Sequence, residues 1–455
     1  MTQQLSRTLS LRDLIVLVIG TVIGSGIFIV PAVVLRQTQG SVGLAMFAWM
    51  LGGMLAFIGA MTYGEIGAKH PEAGGIYVYI RDAFGKLPAF LYGWTLFFVM
   101  SNGAIAVLSI ASASYMSQVI PLSRPAMLIV ALFMILIVAV VNILGTRKSI
   151  GLQNWTTAVK AGAIVLMGAA LLLLGDGLGA TRLALWPDAF SMSLLSGVGV
   201  ALISVLWAYE GWQYVTSAAG EVIDPQRNFA RGFAWGAAAL TFLYLLANLA
   251  YLAALGPQQV AQSDRVAAEA VGRMVGPLAG KFIAVAIMIS MFSAANAVML
   301  TTTRVFFAMA RDGVFFRKLA ELHPRFGTPA YAVIFSAVWA VVLLISGTFE
   351  QLLTYVVFTG WIFYALAAAS IFIYRRREPE ASRLFRVPGY PWTPLLFITV
   401  AAVFVGNTII SQPRQSLLGL LVVLVGTPVF FLWQARTRRQ QIVTPPGAQP
   451  KTLAP

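Results

Sequence analysis

The 455-residue sequence contains no cysteine. Disulfides, thiolate metal sites and cysteine nucleophiles are excluded with it. Histidine occurs only twice, at His70 and His323, far apart and outside the apolar stretches. No metal site can be assembled from them, and no cofactor is implied. Charge is also scarce: Asp, Glu, Lys and Arg make up 10% of the chain, of which only 16 residues are acidic. No carboxylate pair, histidine cluster or cysteine stands inside an apolar stretch. An enzyme acting within a membrane would lack its acid, base or nucleophile.

What is present is apolar. Hydrophobic residues account for 59% of the sequence and the mean hydropathy is +0.82. Stretches of about 18 or more apolar residues recur, the signature of membrane-spanning helices. The spacing predicts an all-α integral membrane protein with twelve spans. The first stretch is too long for the core of a cleaved signal peptide, and no small-residue cleavage site follows it. The net charge of +15 is not a nucleic-acid signature here. Most Lys and Arg fall in alternate loops, as the positive-inside rule requires of a chain with both termini in the cytoplasm. Their remaining partner is anionic lipid of the inner leaflet.

Taken in order, residues 1–12 are a polar cytoplasmic lead, and residues 13–174 hold spans one to five. Residues 175–375 hold spans six to ten, residues 376–434 spans eleven and twelve, and residues 435–455 a polar, disordered tail. The first span carries an anomaly. Ile23-Gly24-Ser25-Gly26-Ile27 puts two glycines and a serine at mid-membrane depth. Each glycine costs roughly 1 kcal/mol relative to alanine in a helix interior. One explanation is a small-residue patch where another helix packs closely. The other is a broken helix whose open N–H and C=O groups bind a substrate at the bilayer midplane. A second interruption, WAYEGW at Trp207 to Trp212, falls in span six. Five spans separate corresponding positions. An odd repeat length inserts the second copy upside down, the arrangement of an inverted-repeat secondary transporter.

A break in span one offers complementary ends. N–H groups at Ser25, Gly26 and Ile27 form a helix N-terminus that suits a carboxylate. Carbonyls near Val22 and Ile23 suit an ammonium group. An α-amino acid is the simplest molecule with both. In span six, Trp207, Ala208 and Tyr209 can add carbonyls, and Trp207 can cover the substrate or simply pack between helices. Glu210 is expensive at this depth, at least about 2.5 kcal/mol unless paired or hydrated. It can face a cationic substrate, carry a coupling proton, or brace the break as a hydrogen-bonded carboxyl. Lys160 lies roughly 9 Å into span five. It can snorkel to the interface or hold the place of a sodium ion between spans one, five and eight. Asn102 in span three, and Ser293 and Asn296 in span eight, can bond either a substrate or another helix.

Together these residues resemble the amino acid–polyamine–organocation superfamily, in particular its L-amino acid transporter branch and the stand-alone bacterial members. The resemblance is carried by VIGTVIGSGIF (Val18 to Phe28), YGEIGAKHPEAGGIYVYIRDAFG (Tyr63 to Gly85), WAYEGWQYVTSAAGEVIDPQRN (Trp207 to Asn228), ARDGVFF (Ala310 to Phe316) and FRVPGYPWTPLLF (Phe385 to Phe397). Five motifs in order among twelve spans are specific where any one is weak. The resemblance implies a five-plus-five inverted repeat with helices one and six broken, the leucine-transporter-like fold. It implies substrate-binding positions at Ile23, Ser25, Gly26, Ile27, Asn102, Trp207, Ala208 and Glu210. It also implies that Lys160 replaces the coupling sodium. Two departures stand out. Glu210 takes a place where relatives often carry a small, aspartate or apolar residue. No cysteine exists in the loop at Leu122 to Pro125, where light chains of heteromeric transporters link a partner, so a disulfide-linked heavy chain is excluded.

The expected function is sodium-independent transport of L-amino acids, neutral and/or cationic, across a bacterial inner membrane. Alternating access would drive it, by exchange or proton coupling. A polyamine or amine exporter is the alternative within the class, and a non-transporting amino acid receptor the alternative outside it.

Overall fold

In a computed structural model the chain is helical throughout its spans. Residues 5–117, 119–176, 185–187, 189, 191–346, 349–379 and 384–443 are described. The first span is a bent pair, α1 (Leu11–Val22) and α2 (Gly26–Gln37), inclined to one another by 50°. It opens with a capping box. The Ser10 side chain accepts from the Asp13 N–H, and the Asp13 carboxylate accepts from the Ser10 N–H at 2.9 Å. Two of the donors that a helix N-terminus leaves open are satisfied in this way.

The second span is α3 (Val42–Lys69). The loop after it holds a short amphipathic helix, α4 (Ile76–Phe84). Span three comprises α5 (Lys86–Thr95), a π-helical turn at Leu96–Met100 and α6 (Ser101–Met116). Spans four and five are α7 (Arg124–Ile143) and α8 (Thr146–Leu174). Span six is broken as expected: α9 (Met192–Ala208) stops, and a 3₁₀ helix (Trp212–Glu221) continues after Tyr209 to Gly211. Span seven is α10 (Pro225–Gln262), kinked at Gly256, and α11 (Val266–Met274) follows it. The connection to span eight after the Gly256 kink is thus largely helical.

Spans eight to twelve are α12 (Pro277–Arg311), α13 (Ala330–Ser346), α14 (Phe349–Arg377), α15 (Trp392–Ser411) and α16 (Pro413–Val443). Among the described residues ten helices are long and apolar enough to cross a membrane, eleven when the bent pair is counted as one span. At 17 residues α13 is a shorter apolar helix in the place of the expected ninth span. The last helix runs to Val443, into the stretch expected from residue 435 to be a polar tail. Residues 444–455 lie outside the described residues.

Packing sets the two broken spans at the centre. α2 packs on α9, α1 on the 3₁₀ segment, and α3 along α10. These are the pairings of counterparts in a five-plus-five repeat. On α3, Gly53, Gly64 and Gly67 face Thr241, Ala230 and Phe229 of α10, so the two helices approach closely, which is how helices associate in lipid. α1 and the 3₁₀ segment also lean on α12.

At the end of the bundle that carries the basic loops, several contacts close this arrangement. The Leu9 N–H and the Thr8 N–H each lie 2.8 Å from the Glu221 carbonyl, and Ile223 N–H donates to the Leu9 carbonyl at 2.8 Å. Arg304 of α12 pairs with Glu221 at 2.7 Å with both side chains almost fully buried. Arg304 Nη2 also donates to the Thr146 hydroxyl at 2.9 Å. From α4, Tyr77 and Arg81 reach Asp312 at 2.8 and 2.9 Å. Desolvation and the Asp312 carboxylate both push the Tyr77 hydroxyl above its ordinary range.

Candidate functional site

The two breaks meet. Gly211 has φ of +132°, a conformation that side chains rarely adopt, and a Cβ there would stand 2.6 Å from the Thr21 carbonyl oxygen. Gly26 faces α9 in the same way, with Ala208 Cα 2.8 Å from where its Cβ would be. Only glycine permits these two approaches. Between the breaks lies a cavity of about 70 Å³, against the 10–15 Å³ or so that a single water needs.

Thr21, Val22, Gly24, Ser25 and Gly26 form one wall of this cavity, and Trp207, Ala208, Glu210, Gly211 and Tyr214 a second. Ala104, Val107 and Leu108 of α6, with Ala294 and Val298 of α12, give it an apolar third side. Of the site residues expected from sequence, Ser25, Gly26, Trp207, Ala208 and Glu210 are therefore brought together. Ile23, Ile27 and Asn102 are buried outside the lining. α2 begins at Gly26 without a side-chain cap, so its first N–H groups have no intrahelical partner. The buried Ser25 hydroxyl also lacks a hydrogen-bond partner among the described residues.

The carbonyls at the end of α1 have distinct fates. Lys160 is buried and does not snorkel. Its Nζ donates to the carbonyls of Gly20 at 2.6 Å and Ile23 at 2.7 Å. Ser290 of α12 donates to the same Ile23 oxygen at 3.0 Å. Both lone pairs of Ile23 are thus engaged, and that oxygen is not free for an ammonium group. The Tyr244 hydroxyl of α10 lies 3.2 Å from the Val22 carbonyl and 3.0 Å from that of Ala208, within reach of either. One ammonium and one phenol therefore hold the break open and tie span one to spans five, six and seven.

Glu210 is braced on one oxygen only. Its Oε1 accepts from Tyr364 of α14 at 2.9 Å, from Tyr214 at 3.3 Å and from Gln213 at 3.4 Å. Gln213 also donates to the Tyr364 oxygen at 2.7 Å and accepts from the Gly211 N–H at 2.9 Å. Oε2 is secluded and has no hydrogen-bond partner among the described residues. Gln213 and Tyr214 stand three and four residues beyond Glu210, a spacing that signals proximity in any helix. Tyr364 and Tyr244 come from distant spans, and no local pattern announces them.

Asn102 sits just after the π-helical turn. Its Nδ2 donates to the Phe97 carbonyl at 2.8 Å, while Oδ1 has no partner among the described residues. Ser293 and Asn296 face other helices. Gln153 and Thr156 of α8 donate to Ser293 at 3.0 and 2.9 Å. Asn296 donates to Gln153 at 3.0 Å and accepts from Asn142 of α7 at 2.9 Å. This is a polar seam through spans four, five and eight.

Comparison with known proteins agrees with the geometry. A family model described as amino acid permease matches residues 9–431. The serine/threonine exchanger SteT of Bacillus subtilis is 31% identical over 94% of this chain and 97% of its own length. The b(0,+)-type amino acid transporter 1 of Rattus norvegicus is 30% identical over 95% of this chain and 89% of its own. The large neutral amino acids transporter small subunit 2 of Mus musculus is 30% identical over 93% and 80%. With two broken spans enclosing a small cavity and a family match over nearly its full length, this multi-pass membrane protein belongs to the amino acid permease family of the amino acid–polyamine–organocation superfamily, whose members are transporters and not enzymes.

Proposed function

We propose that the protein is a sodium-independent exchanger of L-amino acids, neutral and/or cationic, working by alternating access in a bacterial inner membrane with both termini cytoplasmic. The observation that carries this reading is the Lys160 ammonium on the Gly20 and Ile23 carbonyls, 2.6 and 2.7 Å away. A fixed cation there does the work that a bound sodium ion would otherwise do in joining span five to the break. The uncapped start of α2 at Ser25 and Gly26 suits the substrate carboxylate. Because the Ile23 oxygen is taken, the substrate ammonium is assigned to the carbonyl end of α1 at Thr21 and Val22, which line the cavity.

Among the described lining residues Glu210 is the one charged side chain. It disfavours acidic substrates. A polyamine calls for several carboxylates and is less well served. The apolar side formed by Ala104, Val107, Leu108, Ala294 and Val298 suits uncharged side-chain carbon. The closed basic end leaves the spans in a state from which inward opening must part Glu221 from Arg304. The positive-inside charge distribution supports the orientation.

The test is counterflow in proteoliposomes with a panel of radiolabelled amino acids and no sodium. Uptake driven by an unlabelled neutral or cationic amino acid on the opposite side is expected. Uptake that requires a sodium gradient, or none for any member of the panel, overturns the proposal.

A further inference from the structure

At the basic end, α14 stops and the chain turns back toward α15. A second cavity opens there, about 380 Å³, lined by Phe372, Arg375, Arg376, Pro379, Arg386 and Tyr390. It is remote from the breaks and plays no part in the transport reading. Among the described residues that line it, three of six are arginines and none is acidic.

The three arginines are not alike. Arg375 is committed. Its Nε and Nη2 grip the buried Glu65 at 2.9 and 2.7 Å, and its guanidinium lies 3.7 Å from the centre of the Tyr390 ring. Glu65 in turn accepts from the Val387 N–H at 2.6 Å, which fixes the wall of the cavity. Arg376 and Arg386 are exposed and meet no carboxylate among the described residues. Two free guanidinium forks beside a rigid, charge-compensated wall suit an anion with several oxygens. The surroundings are amphipathic. Trp392 is 76% exposed and Leu384 69% exposed, and Leu395 and Leu396 of α15 present further bare apolar surface. A ligand seated on the arginines would find hydrocarbon-compatible surface next to it and interfacial aromatic residues at the same level.

We propose that this cavity binds the phosphodiester headgroup of an anionic membrane lipid, with the phosphate between Arg376 and Arg386 and the acyl chains along the exposed face of α15. Basic pockets beside helix ends on the cytoplasmic side are recurrent sites for such headgroups. The apolar surface beside the cavity favours a lipid over a free anion.

The test compares the protein in nanodiscs of phosphatidylcholine alone and with added phosphatidylglycerol, reading the thermal midpoint and, by native mass spectrometry, the retained lipid. Phosphatidylglycerol should raise the midpoint and remain bound. In the Arg376→Gln/Arg386→Gln variant the affinity for that lipid should fall roughly thirtyfold, and the midpoint rise should disappear. Arg376→Lys/Arg386→Lys should retain part of it. Arg147→Gln/Lys148→Gln, which removes two exposed cations from the start of α8, should behave as wild type. An equal loss in that control would mean a diffuse charge effect and overturn the site. A full effect from inorganic phosphate or glycerophosphate in phosphatidylcholine discs would make the ligand a soluble anion and overturn the lipid assignment. Retention of the lipid by Arg376→Gln/Arg386→Gln would overturn both.

Discussion

Gly26 and Ala208 touch across the two broken spans, with no room for a side chain between them: a Cβ on Gly26 would lie 2.8 Å from Ala208 Cα and 2.9 Å from its Cβ. Gly26→Val is therefore expected to separate α2 from α9, lower the thermal midpoint by the equivalent of about 1–3 kcal/mol and abolish substrate binding. Gly24 is the contrast. A Cβ there meets Leu108 at 3.4 Å and Ala294 at 3.8 Å, ordinary contacts at the cavity wall. Gly24→Ala should keep the wild-type midpoint and raise KM most for the bulkiest substrates. Ligand-induced thermal shifts with a graded series of amino acids check both. A bulky substrate accepted equally by Gly24→Ala would move the site away from this cavity.

Removing the Lys160 ammonium strands the Gly20 carbonyl, while Ile23 keeps the Ser290 donor. One buried acceptor left without a partner costs about 1–3 kcal/mol. Lys160→Ala should fold with a lower midpoint and lose at least about tenfold in exchange rate, roughly 1.4 kcal/mol on the rate-limiting step. Exchange at the wild-type rate in proteoliposomes would remove the lysine from the mechanism.

Glu210→Gln preserves an acceptor for Tyr364, Tyr214 and Gln213 but discards the charge. The expected result in counterflow is a loss of cationic substrates with neutral ones retained. Unchanged selectivity together with an unchanged pH profile would reduce Glu210 to a structural brace.

The Arg304–Glu221 pair is buried on both sides. Breaking such a pair by removing one partner typically costs about 3–5 kcal/mol, whereas replacing both costs far less. Arg304→Met should unfold at markedly lower temperature than Arg304→Met/Glu221→Leu. A double variant no more stable than the single would show that the charge pair is not what holds α12 to the 3₁₀ segment.

His70, just beyond α3, is half-buried beside Tyr374, its ring 4.5 Å away. Burial, opposed mainly by Glu378, moves the imidazole below its ordinary value of 6.5. Lys69 acts in the same direction as burial, and Asp82 and Glu72 oppose it. The folded state therefore binds this proton less readily than the unfolded chain. Its contribution is full above about pH 6.5 and is lost as pH falls through the lower folded value. The midpoint of wild type should drop more steeply on acidification than that of His70→Gln. Parallel curves would refute the assignment.

Much of the architecture was legible because the bilayer punishes exceptions. Two glycines and a serine at the depth of Ser25, and a glutamate at 210, are costly enough to announce a break. The resemblance supplied the sodium-surrogate reading of Lys160. What the sequence hid were contacts between distant spans. That Ile23 would spend its oxygen on Lys160 and Ser290, or that Tyr364 would reach Glu210, depends on which faces of spans five, eight and ten turn inward. Short apolar periods with near-uniform hydrophobicity do not record that rotation. Asn102 looked available for the same reason, yet its amide nitrogen is spent on the Phe97 carbonyl that the π-turn leaves open.

The seam of Asn142, Gln153, Thr156, Ser293 and Asn296 has a mechanical meaning. Its cross-helix bonds run from Asn142 to Asn296, from Gln153 and Thr156 to Ser293, and from Asn296 to Gln153, so spans four, five and eight fit together in a single register. A shift of one helical turn along any of them would leave amides and hydroxyls facing hydrocarbon with nothing to bond. These helices are therefore expected to move together as one block. Spans one and six meet each other through the close Gly26–Ala208 and Gly211–Thr21 approaches, and any rocking of them against this block would have to break the Lys160–Ile23 and Ser290–Ile23 bonds and the Arg304–Glu221 pair.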